Sequence, residues 1–156
     1  MNRIPMTRNG HEALKEKLRQ LKKVDRPDVI RAIEEARAHG DISENAEFEA
    51  AKERQAFIEG KIGELQYKIG CAEVIDSSEL ETDRVVFGNI VALEDYGSEK
   101  RVKYQIVGSD EADVGQGHIS VASPLGKALI GKKVGDAIVV QTPGGQRRYE
   151  LLAIST

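Results

Sequence analysis

Apolar residues recur at intervals of three and four through the first half of the chain, then alternate with polar ones through much of the second. Leu14, Leu18 and Leu21 follow the four-then-three spacing of a coiled-coil seam, after Thr7, which is placed to cap the helix they imply. Continued in phase, that seam calls for Asp25 and Asp28, both unsuited to a core. Pro27 stands between them, and the apolar positions restart at Ile30 and Ile33. Proline removes a helical hydrogen bond and collides with the preceding turn, so the spacing predicts a kink or break here, with Asp25 capping the second piece. The arm runs out at Ala38-His39-Gly40, where glycine can take the left-handed conformation that closes a helix.

The next stretch keeps one seam throughout. Phe48, Gln55, Ile62 and Ile69 fall on one heptad position, and Ala51, Ile58, Leu65 and Ala72 on the other. The pattern predicts a helix from Glu44 to Ile75, on the order of 45 Å long. Only Gly40 to Ser43 separate it from the first arm, and so short a connection places two helices antiparallel and adjacent.

Beyond Asp76-Ser77-Ser78 the character changes, with ten of the 15 glycines lying between residues 76 and 156. Val85 to Leu93, Arg101 to Val107, Ala137 to Val140 and Arg148 to Ile154 are rich in strand formers bounded by turn residues. Thr142-Pro143-Gly144-Gly145 has the composition of a hairpin turn, and Ser123-Pro124 begins a short helix through Leu129. The expected class is α+β: an antiparallel α-helical coiled-coil hairpin over residues 1–75, then an antiparallel β-sheet domain with one short helix over residues 76–156.

Composition narrows the functions this architecture can serve. With 31% charged residues and no apolar run near the length of a membrane span, the chain is expected to be soluble. The single Cys71 excludes an intrachain disulfide and a thiolate metal cluster, and the N-terminus lacks the pattern of a secretory signal; both fit a cytoplasmic protein. A net charge of -3 disfavours wholesale binding to duplex nucleic acid, so any contact with a polyanion is local.

Charge along the hairpin is uneven. Lys15 to Arg31 holds seven basic residues and three acids, whereas Glu34 to Glu53 holds seven acids against two bases, Arg37 and Lys52. Such runs are commonly solvated faces. The acidic turn Asp41-Ile42-Ser43-Glu44 also has the spacing of a capping box, with Asp41 as cap and Glu44 reaching back to the cap's amide. The other reading is chemical. Two carboxylates at the end of a narrow hairpin hold a divalent ion poorly alone, because Mg²⁺ wants six oxygens in near-octahedral array. They make sense where a second macromolecule supplies the remaining ligands, as in two-metal phosphoryl chemistry.

Gly40-Asp41-Ile42-Ser43-Glu44-Asn45-Ala46-Glu47-Phe48, followed by Ala50-Ala51-Lys52-Glu53, closely resembles the signature of the bacterial GreA-type transcript cleavage factors. Ile4-Pro5-Met6-Thr7 and the run Ile119 to Gly131, containing Ser123-Pro124-Leu125-Gly126, resemble that family as well. The resemblance implies an FKBP-like second domain that anchors the factor on RNA polymerase, with Ser120, Ser123 and Pro124 in the contact. It implies that the coiled coil enters the polymerase secondary channel, where Asp41 and Glu44 help hold a Mg²⁺ jointly with the polymerase. The polymerase then cuts the extruded RNA, so the factor stimulates an activity and does not catalyse alone. Ser43 and Asn45 match neighbouring tip positions with supporting roles toward water or RNA, and Lys52 and Arg37 are placed to attract the nascent RNA 3′ segment. The free factor is expected to be a monomer. One departure from the family pattern is Ala122, which stands where relatives often carry a polar residue.

Two alternatives share the scaffold: an anti-cleavage inhibitor that occupies the same pore, and an FKBP-like isomerase or chaperone. The first lacks competent tip acids, which this chain has. The second wants aromatic pocket walls, for which the second half offers only Phe87, Tyr96, Tyr104 and Tyr149. His11, His39 and His118 are scattered, and only His39 lies near the acidic turn. Cys71 reads as a small packed side chain, and Gly115-Gln116-Gly117 is too short for a dinucleotide fingerprint.

Overall fold

The computed structural model describes residues 3–39 and 45–156. They fall into two compact units, Glu12–Cys71 and a second made of the segment ending at His11 together with Ala72–Thr156. Each follows from a different part of the sequence pattern.

Helix α1 (Arg8–Gln20) starts on Thr7, whose hydroxyl accepts the Gly10 amide at 3.1 Å, as the sequence leads one to expect. No break occurs at Pro27. Leu21–Asp25 winds as a π-helix and α2 (Arg26–Ala38) follows directly, the Arg26 amide donating to the Leu21 carbonyl. Asp25 is itself helical and caps nothing. A π turn takes up one residue more than an α turn. The seam beyond it therefore moves on by one position, from Asp28, Ala32 and Glu35 to Val29, Ile33 and Ala36, all buried. Ile30, expected in the seam, is 41% exposed for the same reason. Burying two unpaired carboxylates would cost several kcal/mol each. One widened turn avoids it.

Helix α3 (Ala46–Gly70) is shorter at both ends than its heptads predict. Its cap is Asn45, not Asp41, and Cys71 closes it by donating to the Tyr67 carbonyl. The seam itself is as expected: Ala51, Ile58, Ile62 and Leu65 are buried, with Phe48, Gln55 and Ile69 partly so. Leu21, Val29, Ile58, Ile62 and Leu65 form one apolar cluster, joined by Leu14 and Leu18. Burial of each such side chain contributes roughly 1.5–3 kcal/mol. Arg26 meets Glu59 while Ala36 meets Asn45, so residue numbers rise along one arm as they fall along the other, and the arms are antiparallel.

Ala72–Ile75 leaves the helical pattern to form β2, paired in parallel with β1 (Ile4–Thr7). These segments, assigned to the hairpin on sequence, thus belong to the compact unit of the sheet. That unit holds β3 (Ile90–Asp95), β4 (Arg101–Val107), β5 (His118–Ser120), helix α4 (Pro124–Leu129), β6 (Ala137–Thr142) and β7 (Gly145–Ser155). The sheet order is β5-β4-β3-β7-β6. It is mixed, not wholly antiparallel as expected, because β5 runs parallel to β4. Val85 to Asn89, expected to begin a strand, is a turn: Gly88 sits at φ +92° and the fully buried Asn89 side chain accepts the Val86 amide at 2.8 Å. Val91, Leu93, Ile106, Leu129, Ile138 and Leu151 are completely buried at the centre of this unit.

Candidate functional site

The expected site residues fall in two places, the closed end of the hairpin and the loop before α4. At the hairpin end, Asp41, Ser43 and Glu44 lie outside the described residues. Asn45 and His39 border them. Asn45 is extended at φ -88°, ψ 99°, and its Oδ1 accepts the Phe48 amide at 3.1 Å. Its Nδ2 donates to the Ala36 carbonyl at 2.6 Å. That carbonyl also accepts the His39 amide, at 3.3 Å. The first bond serves an amide that a helix start leaves without a partner, and the second gives the Ala36 carbonyl a second donor. The amide is thus occupied with the backbone of both arms, a use the sequence reading did not foresee.

His39 ends α2, and its Nδ1 stands 3.8 Å from a Glu47 carboxylate oxygen in the first turn of α3. Both are well exposed. Each suits its helix terminus: an imidazolium would meet the negative end of α2, and Glu47 with Glu49 meets the positive end of α3. A cleft of about 340 Å³ opens between the arms here, lined by Ala32, Glu35, Ala36, His39, Glu47, Ala50, Ala51 and Arg54. Arg37 and Lys52 are exposed, and neither makes an ion pair among the described residues.

No three His, Cys, Asp or Glu side chains come together as a metal site among the described residues. The donors that line the cleft among the described residues, the Glu35 and Glu47 carboxylates and the His39 imidazole, fall short of the near-octahedral oxygen set that Mg²⁺ requires. The carboxylates of Asp41 and Glu44 are the right kind of hard oxygen donor but too few to complete the sphere.

At the second place, Ser123 caps α4, accepting the Gly126 amide at 3.1 Å and donating to the Ser120 carbonyl at 2.6 Å. The Ser120 hydroxyl accepts the Ala122 amide at 3.0 Å and lies 3.1 Å from that of Ser109. Pro124, at the first helical position, is exposed. The two serines shape the loop and the proline ring is what it displays. Gly126 is a further requirement that composition alone did not single out. A Cβ there would overlap the Ser120 carbonyl oxygen, so any side chain displaces the loop. The signal was present in the Ser-Pro-Leu-Gly spacing, whose fourth residue supplies the capped amide.

Glu111 accepts the amides of Thr7 and Gly108, each at 3.0 Å, and the Thr7 hydroxyl, and it packs against the Cα of Gly10. The opening Ile-Pro-Met-Thr motif is thereby fastened to the same unit as the Ser-Pro motif.

Two family models match the chain end to end, meeting between residues 74 and 80 and so not along the borders of the two compact units. The family model described as "Transcription elongation factor, N-terminal" matches residues 4–74, and that described as "Transcription elongation factor, GreA/GreB, C-term" matches residues 80–156. The chain is 58% identical over 154 residues to a protein of Rhodospirillum rubrum named "Transcription elongation factor GreA", covering 99% of this chain and 98% of that one. It is 56% identical over 155 residues to the protein of the same name from Neisseria meningitidis serogroup A, with the same two coverages. Among solved structures, GreA factor homolog 1 (Gfh1) of Thermus thermophilus is 31% identical, covering 99% of this chain and 100% of that one, with a TM-score of 0.45. With both family halves matched in order and more than half of all positions shared across nearly the full length of two curated relatives, the chain belongs to the GreA/GreB family of transcription elongation factors.

Proposed function

We propose that this elongation factor docks on RNA polymerase through the Ser120 to Pro124 loop, carries the closed end of its hairpin into the secondary channel, and stimulates the polymerase to cut backtracked nascent RNA. The observation that carries the reading is identity above one half along the whole chain to proteins named as GreA factors. The acidic turn between two antiparallel arms is its chemical support.

In this reading Asp41 and Glu44 add two carboxylates to a Mg²⁺ site whose other ligands belong to the polymerase. When bound there, the ion supplies Lewis-acid activation of the attacking water. The chain's own residues bind and orient. Arg37 and Lys52, both exposed and unpaired among the described residues, draw the phosphates of the RNA 3′ segment toward the acids. Ser43 and Asn45 support the turn. The factor works as a monomer in the cytoplasm, where its partner is, and leaves the bond-breaking to the polymerase.

The test is addition of the purified protein to stalled, backtracked complexes with Mg²⁺, following RNA length. Shortened RNA is expected. Asp41→Ala and Glu44→Ala are each expected to reduce the cleavage rate by about 10²-fold or more, the scale of losing a group that stabilises transition-state charge, with polymerase binding retained. Parent-like cleavage by both variants would end the assignment of the acids. The same assay separates a stimulator from an inhibitor built on this scaffold. Nothing favours an isomerase: Tyr104 and Tyr149 pack against the core of the sheet unit, and Tyr96 lies under the Arg148 guanidinium. A cleft on that unit is lined by Ala92, Arg101, Val102, Lys103, Leu152 and Ala153, without an aromatic wall.

A further inference from the structure

Among the described residues, the Asn45 amide bonds to the backbone of both arms. Its Oδ1 takes the Phe48 amide of α3 and its Nδ2 gives to the Ala36 carbonyl of α2. Just beneath, Ala36 and Ala51 are 3% and 7% exposed, so the backbones approach each other over small side chains. Asn45 directly follows Glu44 in sequence, and the Ala36 carbonyl it holds lies five positions before Asp41.

We infer that Asn45 is a positioning residue, which sets the spacing of the two helix ends that flank residues 40–44 in sequence and acts through its bonds to the Ala36 and Phe48 backbone. The inference rests on the cleavage reading above for its functional consequence, but its structural half stands independently. It assigns Asn45 a different duty from the one expected of a tip residue that touches substrate.

Aspartate and serine cap helices about as well as asparagine, yet neither has an amide N–H to give to Ala36. Asn45→Asp and Asn45→Ser should therefore keep α3 and lose only the bridge. Displacement of reacting groups by about 1 Å costs on the order of 10²-fold in rate. For both variants we expect a roughly ten- to hundred-fold slower maximal cleavage, a raised Mg²⁺ concentration for half-activation, and an unchanged concentration of factor for half-saturation of polymerase. A hairpin that had merely unfolded would instead lose polymerase affinity and helical signal.

The second measurement needs no cleavage. In the free full-length protein, amide hydrogen exchange at Asn45 to Ala50 and at Ala36 to Ala38 should accelerate in Asn45→Ser, with exchange at Ile58, Ile62 and Leu65 unaltered. Unchanged exchange at the arm ends overturns the inference whatever the cleavage assay gives. Parent-like cleavage and Mg²⁺ dependence in both variants, with a parent that cleaves, overturns it equally. A parent that does not cleave defeats the functional reading, and the exchange data still decide whether the bridge exists.

Discussion

The two arms of the hairpin share one apolar seam but reach it differently. In α3 the heptads run uninterrupted from Phe48 to Ile69, and the buried positions are those its spacing names. In the first arm Leu14, Leu18 and Leu21 start a seam that the following aspartates cannot continue, and a π-helical segment at Leu21–Asp25 resets it. A break in an apolar pattern therefore need not mean a break in a helix. Where the partner arm is straight and already in phase, adding one residue to a turn costs less than ending the helix and capping two new termini.

The largest test of that contrast is to add a second extra residue. Inserting one alanine after Lys23, with a single wide turn kept, should return Asp28 and Glu35 to the seam and destabilise the hairpin by roughly several kcal/mol, seen as loss of the cooperative helical melt. An insertion variant that melts like the parent would show that the seam is not what sets the turn. Next in size are cavity substitutions. Ile62→Ala, in the middle of the shared cluster, should cost about 2–5 kcal/mol in urea denaturation. Ile33→Ala should cost less, since Ile33 lies outside that cluster. Equal losses would mean the reset arm is as well packed as the continuous one.

Smaller effects sharpen the comparison. Pro27 lies in the first turn of α2, where a missing N–H is tolerated, so Pro27→Ala should change stability by no more than about 1 kcal/mol. It should also leave the buried positions as they are, which amide exchange at Val29 and Ile33 would read. Retention of the π turn without the proline assigns the reset to the seam.

The smallest effect is electrostatic. Directly after the π segment, Arg26 makes two 2.8 Å hydrogen bonds to the Glu59 carboxylate on the other arm. Those bonds hold the Glu59 carboxyl below its ordinary value, against a smaller opposing effect of desolvation. A carboxylate whose folded value is depressed stabilises the fold above its unfolded value, near 4.3 for Glu, and that stabilisation is lost as pH falls through the folded value. The pair is largely in solvent, so the contribution is modest and weakened by salt. Arg26→Met should flatten the acid limb of the stability profile at this point, measured by urea midpoints from neutral pH downward.

Several local features of the second unit are legible in the sequence. The Ser123 cap, Pro124 at the helix start and the Thr142 to Gly145 hairpin follow from local rules, because the groups each residue satisfies lie within a few positions of it. The capping-box spacing points to Asp41 as the cap of α3, whereas Asn45 holds that position. Asp41 and Asn45 both precede runs that suit a helix start, and local spacing does not rank them. The Ala36 carbonyl, across on the other arm, gives the Asn45 amide a second partner, and sequence separation hides that partner.

By itself the amino-acid sequence determined that there would be two helical arms, their antiparallel pairing, the strand content of the second half, and the family. These depend on periodicity, on turn chemistry and on motifs read along the chain. The tertiary structure alone decided the position of the buried stripe past Pro27, the transfer of Ile4–Thr7 and Ala72–Ile75 to the sheet unit, and the parallel β5. Each is a choice among arrangements that local propensity leaves nearly equal, and contacts between residues remote in sequence supply the difference.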